Sequence, residues 1–198
     1  MAKKKGLELS INFFVTLIII IVIFSGSLFF IRNFFRAATQ IGEQIDRDTE
    51  AQIRALFSGG GVIALPFNKH TIKRGKEEVY WLGILNIDET NEQYHVQVAF
   101  KDAFTPDEDF IVGYDREYID DNWVLYSEGP YTIPLNLHKS IGVLVKVGDK
   151  MSADAITQRG TYVFNVCVSK DPVSDCASLP TTVGLYTGKV YKLFVEVP

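Results

Sequence analysis

The sequence predicts an all-β sandwich head carried on a long N-terminal α-helix that includes one transmembrane span. Two observations predict it. An uncharged apolar run of 21 residues stands near the N-terminus, from Ile11 to Ile31. Beyond Gly61 the hydrophobic pattern changes from helical to alternating, with Gly, Pro, Asn and Asp between the runs.

The apolar run is long enough to cross a bilayer. At about 1.5 Å per residue its helix spans roughly 30 Å, the thickness of the hydrocarbon layer. Fifteen of the residues from Phe13 to Ile31 are Phe, Ile, Leu or Val, each contributing roughly −0.3 to −0.6 kcal/mol to insertion near the membrane centre. A cleavable secretory signal has a shorter apolar stretch of about 7–15 residues and ends in small residues, whereas this one leads into Arg32 and Arg36. Lys3, Lys4 and Lys5 precede the span, and the long acidic portion with both cysteines follows it. The expected placement is a cell membrane, single-pass, with a cytoplasmic N-terminus and an extracytoplasmic head.

Residues 1–10 are then a short cytoplasmic or leader segment, 11–31 the span, 32–57 a helical stalk, 58–61 a glycine-rich hinge and 62–198 the β-domain. The stalk places Ile41, Ile45, Ile53, Leu56 and Phe57 at helical spacing and pairs Glu43 with Arg47 and Glu50 with Arg54 at i,i+4. Its apolar stripe needs a cover from the β-domain, a neighbouring copy or the lipid headgroups. Ser58-Gly59-Gly60-Gly61 ends the helix and is expected to act as a flexible joint.

In the head, strands are expected near Val62–Leu65, Val79–Ile87, Tyr94–Phe100, Phe110–Val112, Trp123–Tyr126, Thr132–Leu135, Gly142–Val147, Thr161–Val168 and Val190–Val197. In the third, Tyr94, Val96, Val98 and Phe100 face one way and His95, Gln97 and Lys101 the other, as in a half-buried antiparallel strand. No helical pattern is expected between the strands, and seven to nine short strands make a sandwich.

Residues 1–36 hold five basic residues against Glu8, a balance of +4, so the remaining 162 carry −8 to reach the overall −4. An acidic head excludes a nucleic-acid groove, which needs clustered Lys and Arg. No nucleophile elbow, H-E-x-x-H or phosphate-cradling glycine motif is present, so the chain is expected not to be an enzyme and to need no cofactor. Cys167 and Cys176 bracket Lys170-Asp171-Pro172, a natural turn. A disulfide there contributes about 2–3 kcal/mol by loop-closure entropy and forms in an oxidising compartment; a free pair is the open alternative. Nine acidic residues fall between Asp102 and Glu128, interleaved with Phe104, Phe110, Tyr114, Tyr118 and Trp123. Calcium takes six to eight oxygens, roughly, and Asp120, Asp121 and Asn122 in a loop are weak candidate ligands; the spacing fits no EF-hand, and a solvated acidic edge that blocks sheet-to-sheet aggregation is the commoner alternative.

The stretch from Gly142 to Pro198, with Gly160-Thr161-Tyr162-Val163-Phe164-Asn165-Val166 and the closing Tyr191–Val197, resembles the last strands of immunoglobulin-like surface modules. The resemblance places Tyr162 where such folds carry a corner tyrosine. At the other end, Lys3-Lys4-Lys5-Gly6 followed by Leu7-Glu8-Leu9-Ser10 and the apolar helix is similar to precursors of type IV pilins and archaeal pilin-like proteins. That resemblance implies leader cleavage between Gly6 and Leu7, a retained packing helix and a β-rich head. Pilins usually place a glutamate fifth in the mature chain, whereas Glu8 is second. Two function classes follow. One is a non-enzymatic structural or interaction protein in the lipid bilayer, with other copies of itself or pilin-like subunits as partners. The other is an anchored ligand-binding module for calcium or a glycan.

Overall fold

The computed structural model describes residues 15–20, 47–88, 90–172, 176 and 184–198. The chain divides into two compact units, Met1–Gln40 and Ile41–Pro198. In the first, residues 15–20 are helical. The rest of the expected span, the Gly6–Leu7 cleavage point and stalk residues 32–46 lie outside the described residues. Among the described residues no helix is long and apolar enough to cross a membrane.

The second unit opens with helix α1 (Arg47–Ser58). Nine strands follow among the described residues: β1 (Ile63–Ala64), β2 (Lys69–Thr71), β3 (Glu77–Leu85), β4 (Glu92–Phe104), β5 (Val124–Leu125), β6 (Tyr131–Ile133), β7 (His138–Lys146), β8 (Gly160–Ser169) and β9 (Tyr191–Val197). Helix α2 (Arg116–Trp123) precedes β5. One sheet runs β1-β3-β7-β5 and the other β2-β9-β8-β4-β6. The first edge of the domain is thus divided: β1 pairs antiparallel with β3, and β2 crosses over to pair parallel with β9. This is the immunoglobulin-like arrangement of two facing sheets.

The alternation expected in β4 is observed. Tyr94, Val96, Val98 and Phe100 are buried and join Tyr80, Leu82 and Ile84 of β3, Val143 and Val145 of β7, and Phe164 and Val166 of β8 in one core. Register then shifts at Lys101, since Phe100 opposes Phe164 while Asp102 opposes Val163. The extra residue changes the phase of the strand, so Ala103 is buried and Asp102 is not.

Helix α1 is part of this unit and packs on the outer face of the first sheet. Ile53 is fully buried. Gly83 on β3 makes the contact possible, because a Cβ there would lie 2.6 Å from Cγ2 of Ile53 and 2.9 Å from Cζ of Phe57. The cover for the apolar stripe at Ile53 and Phe57 is therefore the β-domain. The i,i+4 pair forms as expected, with Arg54 Nε 3.1 Å from Glu50 Oε1.

The glycines after α1 form a defined cap. Gly60 N–H donates to Phe57 O (2.9 Å) and Gly61 N–H to Leu56 O (3.2 Å), with Gly60 at φ 88°. These paired bonds around a left-handed residue are a Schellman motif. The run read from sequence as a joint thus folds as a specific turn.

Three further differences from the expected elements have local causes. Phe110–Val112 is not a strand; only Phe110 bridges back to Phe104 across a tight turn. Helix α2 stands where no helix was expected, capped by Asp115, which accepts from Tyr118 N–H at 3.2 Å. Strand β2 has no alternating pattern to announce it. It is held by Lys69 and Thr71, which contact Glu196 of β9 at 2.7 and 3.2 Å.

Asn86, fully buried, ties the β3–β4 turn to the segment before β7. Its Nδ2 donates to Thr90 O (2.9 Å) and Ile133 O (2.8 Å), and its Oδ1 accepts from Asp88 N–H (2.9 Å) and Tyr94 Oη–H (3.0 Å). Asn86→Ala strands these partners and is expected to lower stability by about 3 kcal/mol, read as a fall in the urea midpoint at unchanged slope.

Candidate functional site

The acidic stretch from Asp102 to Glu128 is the site singled out by the sequence, and the structure gives its carboxylates several separate tasks. Asp115 caps α2. Asp102 lies 3.7 Å from Arg116. Asp120 Oδ1 accepts from the N–H of Phe100 at 2.6 Å. These contacts spread the acids along a strand, a cap and a helix.

The Phe100 bond belongs to a series. Strand β6 covers only Glu92 to Tyr94 of the β4 edge, which leaves alternate amides beyond it in need of acceptors. Val96 N–H donates to Glu128 O (2.9 Å), Val98 N–H to Tyr126 Oη (3.0 Å), and Phe100 N–H to Asp120 Oδ1. Helix α2 and the segment after it therefore close the sheet edge, the helix with a carboxylate and the segment with a phenol and a carbonyl. Burial, chiefly, pushes the Tyr126 phenol up to about 12, so it keeps its proton and its contact to Val98 O (3.4 Å) at neutral pH.

The candidate calcium ligands lie on α2 and not in a loop. Asp120 is turned to Phe100, Asn122 Nδ2 donates to Tyr118 O (2.7 Å), and Asp121 is exposed. Among the described residues no group of three or more His, Cys, Asp and Glu is placed to hold a metal ion. The interleaved aromatics also divide. Trp123 is buried against Tyr162 at 4.9 Å between ring centroids, and Tyr114 packs edge-on to Phe100 at 5.0 Å. Phe110 and Val112 are exposed, as is Ile156 of the β7–β8 connection.

Tyr162 adopts the corner geometry. Its hydroxyl donates to Gln158 O (3.0 Å), four residues upstream, and accepts from Gln158 N–H (3.1 Å). The cysteines are bonded: Cys167 and Cys176 form a disulfide with Cα atoms 6.0 Å apart. It sits on the outer face of β8, packed with Ala99 and Leu185, and Asn165 Nδ2 donates to Cys176 O at 3.0 Å. It therefore fastens a loop to one sheet and does not join the two sheets.

Sequence reasoning passed over a polar cluster between α1 and β7. His138 Nε2 lies 2.7 Å from Glu50 Oε1, and Ser140 Oγ donates to Glu50 Oε2 at 2.9 Å. The ring of Phe57 packs 5.4 Å from that of His138. The only available signal was alternation, which puts His138 and Ser140 on one face of β7.

No protein-family model and no curated protein sequence matches the chain. Among solved structures it is similar to the PapD-like domain of human CEP192, at 9% identity and a TM-score of 0.41, covering 69% of this chain and 85% of that one. It is also similar to the SrpA adhesin of Streptococcus sanguinis (15% identity, TM-score 0.36) and to the class 5 fimbriae chaperone CfaA (17%, 0.34). Each of these covers 69% of this chain and 56% of the other. These values assign no family; the immunoglobulin-like description rests on the strand order.

Asp120→Ala removes the acceptor at the end of the edge series. It is expected to destabilise the domain by about 1–3 kcal/mol, seen as a lower melting temperature, whereas Asp121→Ala on the exposed side of α2 leaves melting within about 0.5 kcal/mol of the parent.

Proposed function

We propose that this chain is a non-enzymatic, membrane-anchored surface protein that displays its immunoglobulin-like head outside the cell, in the form of a pilin-like subunit. The observation that carries this reading is the way the head receives the chain. The sequence passes from a basic start and a 21-residue apolar run into α1, and α1 is packed on the sheet through Ile53, Phe57 and Gly83. An N-terminal helix built into a β-rich head is the layout that the pilin resemblance implies. The disulfide supports an extracytoplasmic head, since such bonds persist in oxidising compartments. The bilayer is the first partner, and other copies or pilin-like subunits are the second.

A lone anchored module that binds a glycan is the second reading, favoured by the exposed Phe110, Val112 and Ile156 on the β4–α2 and β7–β8 connections. Calcium has less support, because Asp120 already serves the Phe100 amide. A calcium site would raise the melting temperature on addition of the ion; no change is expected.

The deciding experiment is mass spectrometry of the mature N-terminus, with the full chain made in its host or in an archaeal strain that has a prepilin peptidase. A chain that begins at Leu7 and is recovered in sheared surface material upholds the pilin-like form. A chain that retains Lys3 to Lys5 and stays in the membrane fraction replaces it with the lone module. Recovery of the full-length chain from the cytosol overturns both.

A further inference from the structure

Helix α1 buries few of its described residues. Thr49 and Ile53 are its buried residues, Phe57 is half-buried, and the other described positions apart from Glu50 are exposed. Gly83 supplies the flat surface beneath Ile53 and Phe57. Against so small an apolar contact, the polar cluster at Glu50 carries a large share of the attachment. Both oxygens of this carboxylate are occupied: Oε1 by His138 Nε2 (2.7 Å) and Arg54 Nε (3.1 Å), Oε2 by Ser140 Oγ (2.9 Å). Two of those three partners belong to β7, so the carboxylate is a bridge from helix to sheet.

We propose that Glu50, His138 and Ser140 form a proton-operated latch, which couples α1 to the sandwich at neutral pH and releases it in acid. The ionised carboxylate accepts from all three donors, whether His138 offers a neutral N–H or a charged one. Once protonated, Glu50 is a poorer acceptor, carries a hydrogen of its own and loses its charge-assisted bonds to His138 and Ser140. Among the described residues of α1 the other charged groups are Arg47 and Arg54, which add positive charge, and Asp48, which is exposed. Strand β1 has no ionisable residue, Glu77 and Glu78 lie at the opposite end of β3, and Lys139 is turned to the ring of Tyr131, 5.2 Å away.

The direction follows from linkage. Burial pushes the Glu50 carboxyl up, but hydrogen bonds from His138, Ser140 and Arg54 outweigh it and hold the group below its ordinary value of 4.5. A carboxyl held low in the folded state contributes stability above its unfolded value and loses it as pH falls through the folded one. Release therefore falls below about pH 4.5, while the sandwich core, which α1 only covers from outside, stays folded.

Hydrogen-exchange mass spectrometry on the full chain in detergent micelles, corrected for the intrinsic pH dependence of exchange, tests the latch. Between pH 6 and pH 3.5 the α1 amides are expected to speed up several-fold, with about tenfold as the ceiling that one carboxyl can supply, and β8 amides to stay unchanged. In Glu50→Gln, which cannot titrate, α1 exchange is expected to be flat with pH. In Gly83→Val, whose side chain collides with Ile53 and Phe57, it is expected to be fast at every pH. Loss of α1 and β8 protection together at one pH overturns the proposal, as does a wild-type pH profile in Glu50→Gln. That comparison decides the matter even if Gly83→Val does not fold.

Discussion

Strand β8 is buried along both of its faces, and most of the architecture follows from covering it. Tyr162, Phe164, Val166 and Val168 point into the core, and Val163, Asn165 and Cys167 lie on the other side yet are also shielded from water. A strand in this position cannot be the edge of a sheet, so it needs β4 on one flank and β9 on the other. Its outer face cannot stay bare either. The Cys167–Cys176 bond and Leu185 cover it, and Asn165 keeps its polar atoms satisfied through Cys176 O and Lys192 Nζ, each at 3.0 Å.

The second sheet face with an outer cover is that of β3 and β7, and its cover is a helix. The two solutions differ in kind. The disulfide loop is tied down by a covalent bond, whereas α1 rests on a glycine, two apolar side chains and a carboxylate bridge. Covalent closure makes the first permanent under oxidising conditions; the second depends on the charge state of Glu50. A capped turn at Gly59–Gly61 then delivers the chain to β1 at a fixed angle, so the helix and the first strand share one geometry for as long as α1 is docked.

Much of this fold was legible in the sequence wherever a side-chain period exists to be read. The alternation in β3, β4, β7, β8 and β9 marks strands because each buries one face at least, and Tyr162 was legible because its position at the start of β8 is characteristic. The features that escaped lack such a period. Strand β2 is three polar residues held by Glu196, and α2 is a short helix whose apolar contribution is Ile119 and Trp123 alone. The acidic stretch misled for a related reason: composition shows that Asp120 is acidic, but only the fold shows that the bare amide of Phe100 lies opposite it. Glu50, His138 and Ser140 are likewise unreadable as a group, since Glu50 is far in sequence from the other two and meets them only when α1 lies on β7.

The parallel pairing of β2 with β9 has a mechanical consequence. These strands come from opposite ends of the domain, and three consecutive residues of one, Lys69 to Thr71, lie in register with Phe194 to Glu196 of the other. A pull that draws the two ends of the domain apart loads this patch along the strand axes, in shear. Its backbone bonds and the Lys69–Glu196 contact at 2.7 Å then bear the load together instead of opening one after another, as they would in a peeled hairpin. The weakest-looking strand in the sequence is thereby the clasp that resists extension of the head under tension.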